Sequence, residues 1–484
     1  MGTNMKKLII SVLGLLTVLF GVLTASCSRG ETDGNGFGYV RLSDGGYGVY
    51  AVEKMSGDVV IPSEYKGATV TRIEEVFFRD GTASGEIRVT VPEGVKCVND
   101  NAFADCVQLI SVTLPSTLTE IGDKAFYNCS LLSNIAFPNG GGVETVGIEA
   151  FYYTAITTFP LSHTVKSIGF GAFNRCLRLK SIDISGVTGE MLGNEAFNGC
   201  YALGSVTLGE GLECIGKSTF ASCGALKSIV IPDSVTVIDD RAFRYCSSLR
   251  WVEISPDAKL EVIVNGAFGS CAILTFTLPM DLRNNYLGND YFSDCLDLKE
   301  VINYSDCDVK LSEGVWEKSG EYAQSDFKLD GDGFITYMNG NVCELVGYIG
   351  HAETIVVPDG VQRIKRGAFL GSQGTADIVI PDSVTEIEPS AFGAVVTLTD
   401  ITVSEGNTEF SSIDGVLYSK DGTVLIAYPA GRMETEFTVP EFVTAIGDHA
   451  FYGSLVMKVI MHEGVTSVSE KAFLQALFLE NNGK

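Results

Sequence analysis

Several chemistries are nearly absent from this chain. It has only 4 His and 2 Trp in 484 residues. None of His163, His351, His449 and His462 stands at ligand spacing from another. The 13 Cys include no C-x-x-C pair, so zinc-ribbon and thioredoxin-type motifs are excluded. No nucleophile elbow is present. Positive charge is short: 34 Lys and Arg stand against 60 Asp and Glu, a formal net charge of −26. A nucleic-acid binder needs a basic face to displace the counterions of phosphate, so that class is set aside. No apolar run beyond residue 24 is long enough to span a bilayer. These absences predict a binding protein with no enzymatic activity and no cofactor.

The first residues carry an address. Lys6 and Lys7 precede an almost unbroken apolar run from Leu8 to Thr24, then Leu23-Thr24-Ala25-Ser26-Cys27. A basic start, an apolar middle and small residues before a cut describe a secretory signal, here residues 1–26. The Cys27 thiol can carry a diacylglycerol, and cleavage frees its amine for another acyl chain; several chains together anchor stably. The segment resembles a bacterial lipoprotein signal, with Leu23 one place further from the Cys than the usual lipobox. The Gly-rich polar stretch 27–37 is predicted to be a flexible tether. It resembles the surface-export signal of Bacteroidota lipoproteins, with Arg29 and Gly30 departing from the acidic run. The expected location is the outer membrane at the cell surface, with membrane contact through the lipid alone.

The rest of the chain repeats. Ala-Phe or a close variant recurs with its Phe at Phe78, Phe103, Phe126, Phe151, Phe173, Phe197, Phe220, Phe243, Phe268 and Phe292, at gaps of 22 to 25 residues. It resumes at Phe369, Phe392, Phe451 and Phe473. Such a period belongs to leucine-rich repeats. In the unit from Leu226, Ile229 and Ile231 alternate with Ser228 and Val230, one face inward and one outward, as in a half-buried strand. Pro232 ends the strand. Val235 and Ile238 turn back inward, and Ala242 and Phe243 fill the coil from the far side. One coil cannot bury these groups, whereas stacked coils can. Eight cysteines (Cys106, Cys129, Cys176, Cys200, Cys223, Cys246, Cys271 and Cys295) lie three residues after their Phe. Parallel stacked side chains make poor disulfide geometry, so buried thiols acting as small apolar filler are predicted.

The unit Leu118-Thr-Glu-Ile121-Gly-Asp-Lys-Ala125-Phe126-Tyr-Asn-Cys129 resembles the BspA-like leucine-rich-repeat family of bacterial surface antigens. The resemblance covers most of residues 60–305 and 350–475. It implies a β-rich, right-handed repeat solenoid, with a parallel sheet on one face and irregular or 3₁₀ turns on the other. It also implies adhesion to a host-matrix or bacterial surface protein. The alternatives left open are a glycan-binding accessory of polysaccharide uptake and a surface spacer without a ligand.

Breaks in the period divide the chain. One repeat block is predicted over 38–305, an irregular linker over 306–333, and a second block over 334–484 with a hairpin insertion near 405–432, signalled by Asp421-Gly422 between apolar runs. Gly347 to Pro358 is similar to the earlier Ser56 to Pro62. Two motifs are weighed and rejected. Gly211-Leu-Glu-Cys-Ile-Gly216-Lys217-Ser218 spells a P-loop but sits in a repeat turn, without the following helix that a P-loop needs. Asp330-Gly-Asp332-Gly333 starts like a calcium loop, but Phe334 stands where an Asp or Asn is required. One candidate binding strip remains. The residue seven after the Phe is expected on the exposed strand face, and it is Lys180, Lys227, Arg250 and Lys299 in four of six coils, with Gly204 and Thr275 between and Trp251 adjacent. Arg and Trp are enriched at interface hot spots. Few aromatics fall on that face, which favours a protein partner over a glycan.

Overall fold

A computed structural model describes residues 31–78, 83–160, 164–189, 191–264, 266–283, 292–305, 316–319, 325–370, 372, 374–393, 395–474 and 476. The signal segment, Cys27 and the first part of the tether lie outside the described residues, as does His163. Each coil in the described chain contributes two parallel rungs. The long rung is the predicted strand. Ser228–Val230, Trp251–Glu253, Thr275–Leu278, Glu300–Asn303 and Trp316–Ser319 stack in one sheet. The short rung was not foreseen. It is a two-residue strand at the Thr-x-Ile step, as in Cys97–Val98, Glu120–Ile121 and Thr145–Val146, which pair in parallel register. Successive one-turn hydrogen bonds, such as Ala125 N–H to Gly122 and Cys129 N–H to Phe126, carry the chain around the Phe side.

The interior follows the repeat. In the unit from Leu226, Leu226, Ile229, Ile231, Val235, Ile238, Ala242, Phe243 and Cys246 are all buried. The Phe rings form a column. Phe103, Phe126, Phe151, Phe173, Phe197, Phe220, Phe243 and Phe268 stack with centroids 5.1 to 5.4 Å apart. Each fully buried ring contributes roughly 1.5–3 kcal/mol through burial. The backbone N–H of a column Phe donates to the carbonyl of the residue before the next coil's Phe, as Phe126 does to Ala150 at 2.8 Å and Phe197 to Thr219 at 2.9 Å. That bond identifies two column members the spacing missed. Phe77, not Phe78, donates to Ala102 and is fully buried, because the first coil is shifted by one residue. Tyr428 donates to Ala450 and stacks on Phe451 at 5.3 Å, so Ala427-Tyr428 stands in for Ala-Phe inside the insertion.

The cysteines form a second column. The thiol of Cys129 donates to the Phe103 carbonyl at 3.0 Å, and Cys176, Cys200, Cys223, Cys246, Cys271 and Cys295 repeat the bond, each to the Phe of the preceding coil. All are free thiols. Burial pushes the Cys176 thiol up to about 12 and Cys106 to about 11.

Three antiparallel sheets start or restart the winding: Glu31–Thr32, Phe37–Arg41 and Tyr47–Ala51; Phe327–Leu329, Phe334–Asn339 and Val342–Tyr348; Phe410–Ile413, Val416–Ser419 and Val424–Ala427. In each, the last strand pairs in parallel with the strand that opens the short-rung stack: Ala68–Ile73, Arg363–Ile364 and Ala445–Ile446. The first two begin on one turn. Asp33-Gly-Asn-Gly-Phe37 and Asp330-Gly-Asp-Gly-Phe334 are near-identical, and each leading Asp accepts from the N–H two and four residues on. Gly36 and Gly333 both sit at φ +94°, where a side chain is strained. The stretch read as tether therefore enters a strand at Glu31, and strands at Trp316–Ser319 and Phe327–Leu329 occupy the stretch read as irregular linker. The calcium-like motif is a hairpin turn, and the P-loop lookalike supplies the short rung Cys214–Ile215 with no helix after it.

Candidate functional site

The predicted basic strip does not form one exposed surface. Hydrogen bonds between coils place Leu274, not Thr275, between Arg250 and Lys299 on the rung, since Leu274 N–H donates to Arg250 and Lys299 N–H to Leu274. Lys180 and Lys299 are exposed. Lys227 and Arg250 are each only 3% exposed. What covers them is the second antiparallel sheet and the coil after it. Lys227 Nζ donates to the Gly350 carbonyl at 2.8 Å and lies 5.8 Å from the Tyr348 ring centre. Arg250 donates through Nη1 to Val346 at 2.8 Å and through Nη2 to Gly367 at 2.7 Å. Trp251 is half-buried and packs against an apolar cluster of Leu274, Phe327 and Ile335. Three of the five candidates, Lys227, Arg250 and Trp251, thus join one part of the chain to another.

Strand alternation explains the misreading. It separates inward from outward for a single coil. It says nothing of a later segment that folds back onto the outward side.

This fold-back creates a cleft of about 860 Å³, within the size range of ligand sites. Arg250 and Leu274 line it from the first repeat stretch, with Leu296 and Lys299; Phe327, Tyr337 and Val346 line it from the second sheet. Its charges are partly committed. Glu300 is buried and accepts from Thr275 Oγ1 at 3.1 Å and from the Ser325 hydroxyl. Glu344 is buried against Arg363 Nη1 at 2.5 Å and Asn339 Nδ2 at 3.2 Å. Lys365 pairs with Glu388. Burial holds the Lys227 ammonium down to about 8 and lowers Arg250, an effect that Asp297 partly offsets. The uncommitted margin is exposed Lys299, with Leu296 three residues before it at 86% exposure. The lining thus offers shape, apolar surface and charge of both signs. Among the described residues, no group of three or more His, Cys, Asp or Glu is placed to hold a metal ion.

A second opening, of about 110 Å³, lies where the Phe column passes from Phe392 to Tyr428; Ser390 Oγ and His449 Nδ1 line it without a hydrogen-bond partner. It is the packing gap left by the inserted sheet.

A family described as BspA type Leucine rich repeat region matches in 6 copies over residues 66–180, 166–299, 348–418 and 432–481, well over half of the chain. The chain belongs to this family. The BspA-type matches stop and restart around the second sheet and around residues 419–431. Among solved structures, a leucine-rich repeat protein from Bacteroides ovatus is 19% identical over 92% of this chain and 92% of its own, with a TM-score of 0.43. A leucine-rich cell surface protein from Faecalibacterium prausnitzii is 21% identical over 94% and 98%, with a TM-score of 0.33. The T. pallidum leucine-rich repeat protein is 24% identical over 50% and 89%, with a TM-score of 0.31. No curated protein matches the chain.

Proposed function

We propose that this BspA-type chain is a non-enzymatic, lipid-anchored surface protein that binds a protein partner, with Cys27 as its outer-membrane anchor and the fold-back cleft as its contact. The carrying observation is the cleft with its margin. A Leu at 86% exposure beside exposed Lys299 opens onto apolar walls and mixed charge. Protein interfaces combine an apolar anchor, a wet rim and charges of both signs in this way. A cleft built from residues 50 apart in sequence, such as Leu296 and Val346, also gives a shape no single repeat supplies.

The test is an array of extracellular-matrix and bacterial surface proteins probed with the soluble chain from residue 28. Saturable binding that falls by about tenfold or more in the Leu296→Asp, Lys299→Glu double variant supports the reading. Silence across the array overturns it and leaves the spacer, and binding that ignores the double variant overturns the cleft as the contact. The anchor is tested separately: Cys27→Ala should abolish radiolabelled palmitate incorporation and release the protein from membranes, and continued labelling would remove Cys27 from its role.

A further inference from the structure

The turn face carries aromatics that the fold does not use. Their places are fixed by the repeat: the two residues after the column Phe, the residue three before it, and the residue after the column Cys. In many coils these places hold small or charged residues, such as Ala104 and Asp105 or Gly269 and Ser270. From Phe126 to Cys200 they hold Tyr127, Tyr152, Tyr153, Phe170 and Tyr201 instead. Tyr127 and Tyr152 stack at 4.9 Å and 11°. Tyr153 is 42% exposed and Tyr201 60% exposed. Exposed apolar clusters of this kind mark contact sites.

Tyr152, Tyr153, Phe170 and Tyr201 line a groove of about 560 Å³, with Leu177 beside them and side chains that are otherwise polar. Asn174, only 9% exposed, donates through Nδ2 to Glu195 at 3.3 Å, and both line the groove with Asn198 and Arg175.

We propose that this groove binds an extended neutral glycan. A pyranose has two kinds of surface. Its C–H face packs on an aromatic ring, whose π face is electron-rich. Its hydroxyl edge needs planar groups that give and take hydrogen bonds together, as amides, carboxylates and guanidinium groups do. The groove interleaves both kinds. A protein hot spot would keep its polar groups at the rim and its centre dry, which does not match a nearly buried Asn174 among the rings. The coils stand 5.1 to 5.4 Å apart along the Phe column, about the length of one sugar in an extended β-linked chain, so successive coils can meet successive sugars. Glu149 and Glu195 in the lining and a net charge of −26 disfavour an acidic glycan.

The groove is independent of the fold-back cleft, so each can fail alone. The probes are cellohexaose, xylohexaose, laminarihexaose and mannohexaose, with polygalacturonate and heparin as acidic arms, titrated calorimetrically into the soluble chain from residue 28. Binding to at least one neutral oligosaccharide is expected. It should weaken by about tenfold or more in the Tyr153→Ala, Tyr201→Ala double variant and again in Glu195→Gln. The thermal midpoint of the double variant should stay near that of the parent, because both rings face solvent. No binding to any neutral probe, binding to the acidic arms alone, or binding unchanged by the double variant overturns the proposal.

Discussion

Arg250 Nη2 donates to the Gly367 carbonyl at 2.7 Å, between residues 117 apart in sequence. With Nη1 on Val346, the same guanidinium holds a strand and a turn of the later chain against the early rungs. Arg suits the task because its planar fork presents several fixed donors and stays charged on partial desolvation.

Arg250→Ala leaves two half-buried carbonyls without their donor and opens a void. The expected loss is about 2–4 kcal/mol. A long repeat array need not unfold in one step, so the readout is the first urea transition together with limited proteolysis between residues 306 and 325. Faster cleavage and an earlier transition are expected. An unchanged transition would show that the two stretches do not depend on this contact.

The glycine of the Ile-Gly step sets how closely coils approach. A Cβ on Gly169 would lie 2.6 Å from the Gly147 carbonyl carbon and the Ile148 nitrogen, both backbone atoms of the adjacent coil. Gly169→Ala is therefore expected to cost about 1–3 kcal/mol through overpacking. Gly331→Ala, where nothing lies within 4 Å, is the control and should stay within about 0.5 kcal/mol. Equal thermal midpoints for the two variants would remove the steric explanation.

Much of this was legible. Phe243, Cys246, Ile229 and Ile238 are buried where the period puts them, since a stacked coil offers few other places for an apolar side chain. The misses share a cause. Phe77 for Phe78 and Leu274 for Thr275 are one-residue slips where a coil departs from the common register, and counting from the nearest Phe carries the slip forward. Lys227 and Arg250 are read as exposed because no local pattern reports a segment that returns from about a hundred residues away. The restart turns stand in the sequence as Asp33-Gly-Asn-Gly-Phe37 and Asp330-Gly-Asp-Gly-Phe334, but a short Gly-rich polar segment reads equally as a tether or a loop until its flanking strands are paired. The turn-face tyrosines leave no periodic signal, because other coils fill the same places with small or charged residues.

The thiol column makes alkali a selective stress. A buried thiol whose value is raised, such as Cys176 at about 12 against an ordinary 9, keeps its proton in the folded chain while the unfolded chain loses it. Its contribution is intact below the ordinary value and is lost as pH rises from about 9 toward 12. Urea midpoints should therefore fall over that window, and Cys176→Ala should show a shallower fall on a lower baseline, by about 1–2 kcal/mol at neutral pH. Thiol reagents at pH 8 should label the folded chain slowly and the urea-unfolded chain fast. Rapid labelling of Cys176 in the folded chain would contradict this burial.

Lys227 works in the opposite direction. Burial holds its ammonium at about 8 against 10.5 in the unfolded chain. The folded state therefore carries a penalty below pH 8, on the order of 3 kcal/mol at 1.36 kcal/mol per unit. Between pH 8 and 10.5 the unfolded chain binds the extra proton, so this group's contribution rises with pH. The falling thiol contribution overlaps that window, so the clean quantity is the stability of the parent minus that of Lys227→Met. Both chains share the thiol column, and the difference isolates the lysine. It should climb from about pH 8 and level near 10.5, above the range in which His351, which Lys227 helps to hold low, titrates. A difference that stays flat throughout would mean that Lys227 titrates as in the unfolded chain, and that the Gly350 and Tyr348 contacts do not enclose it in solution.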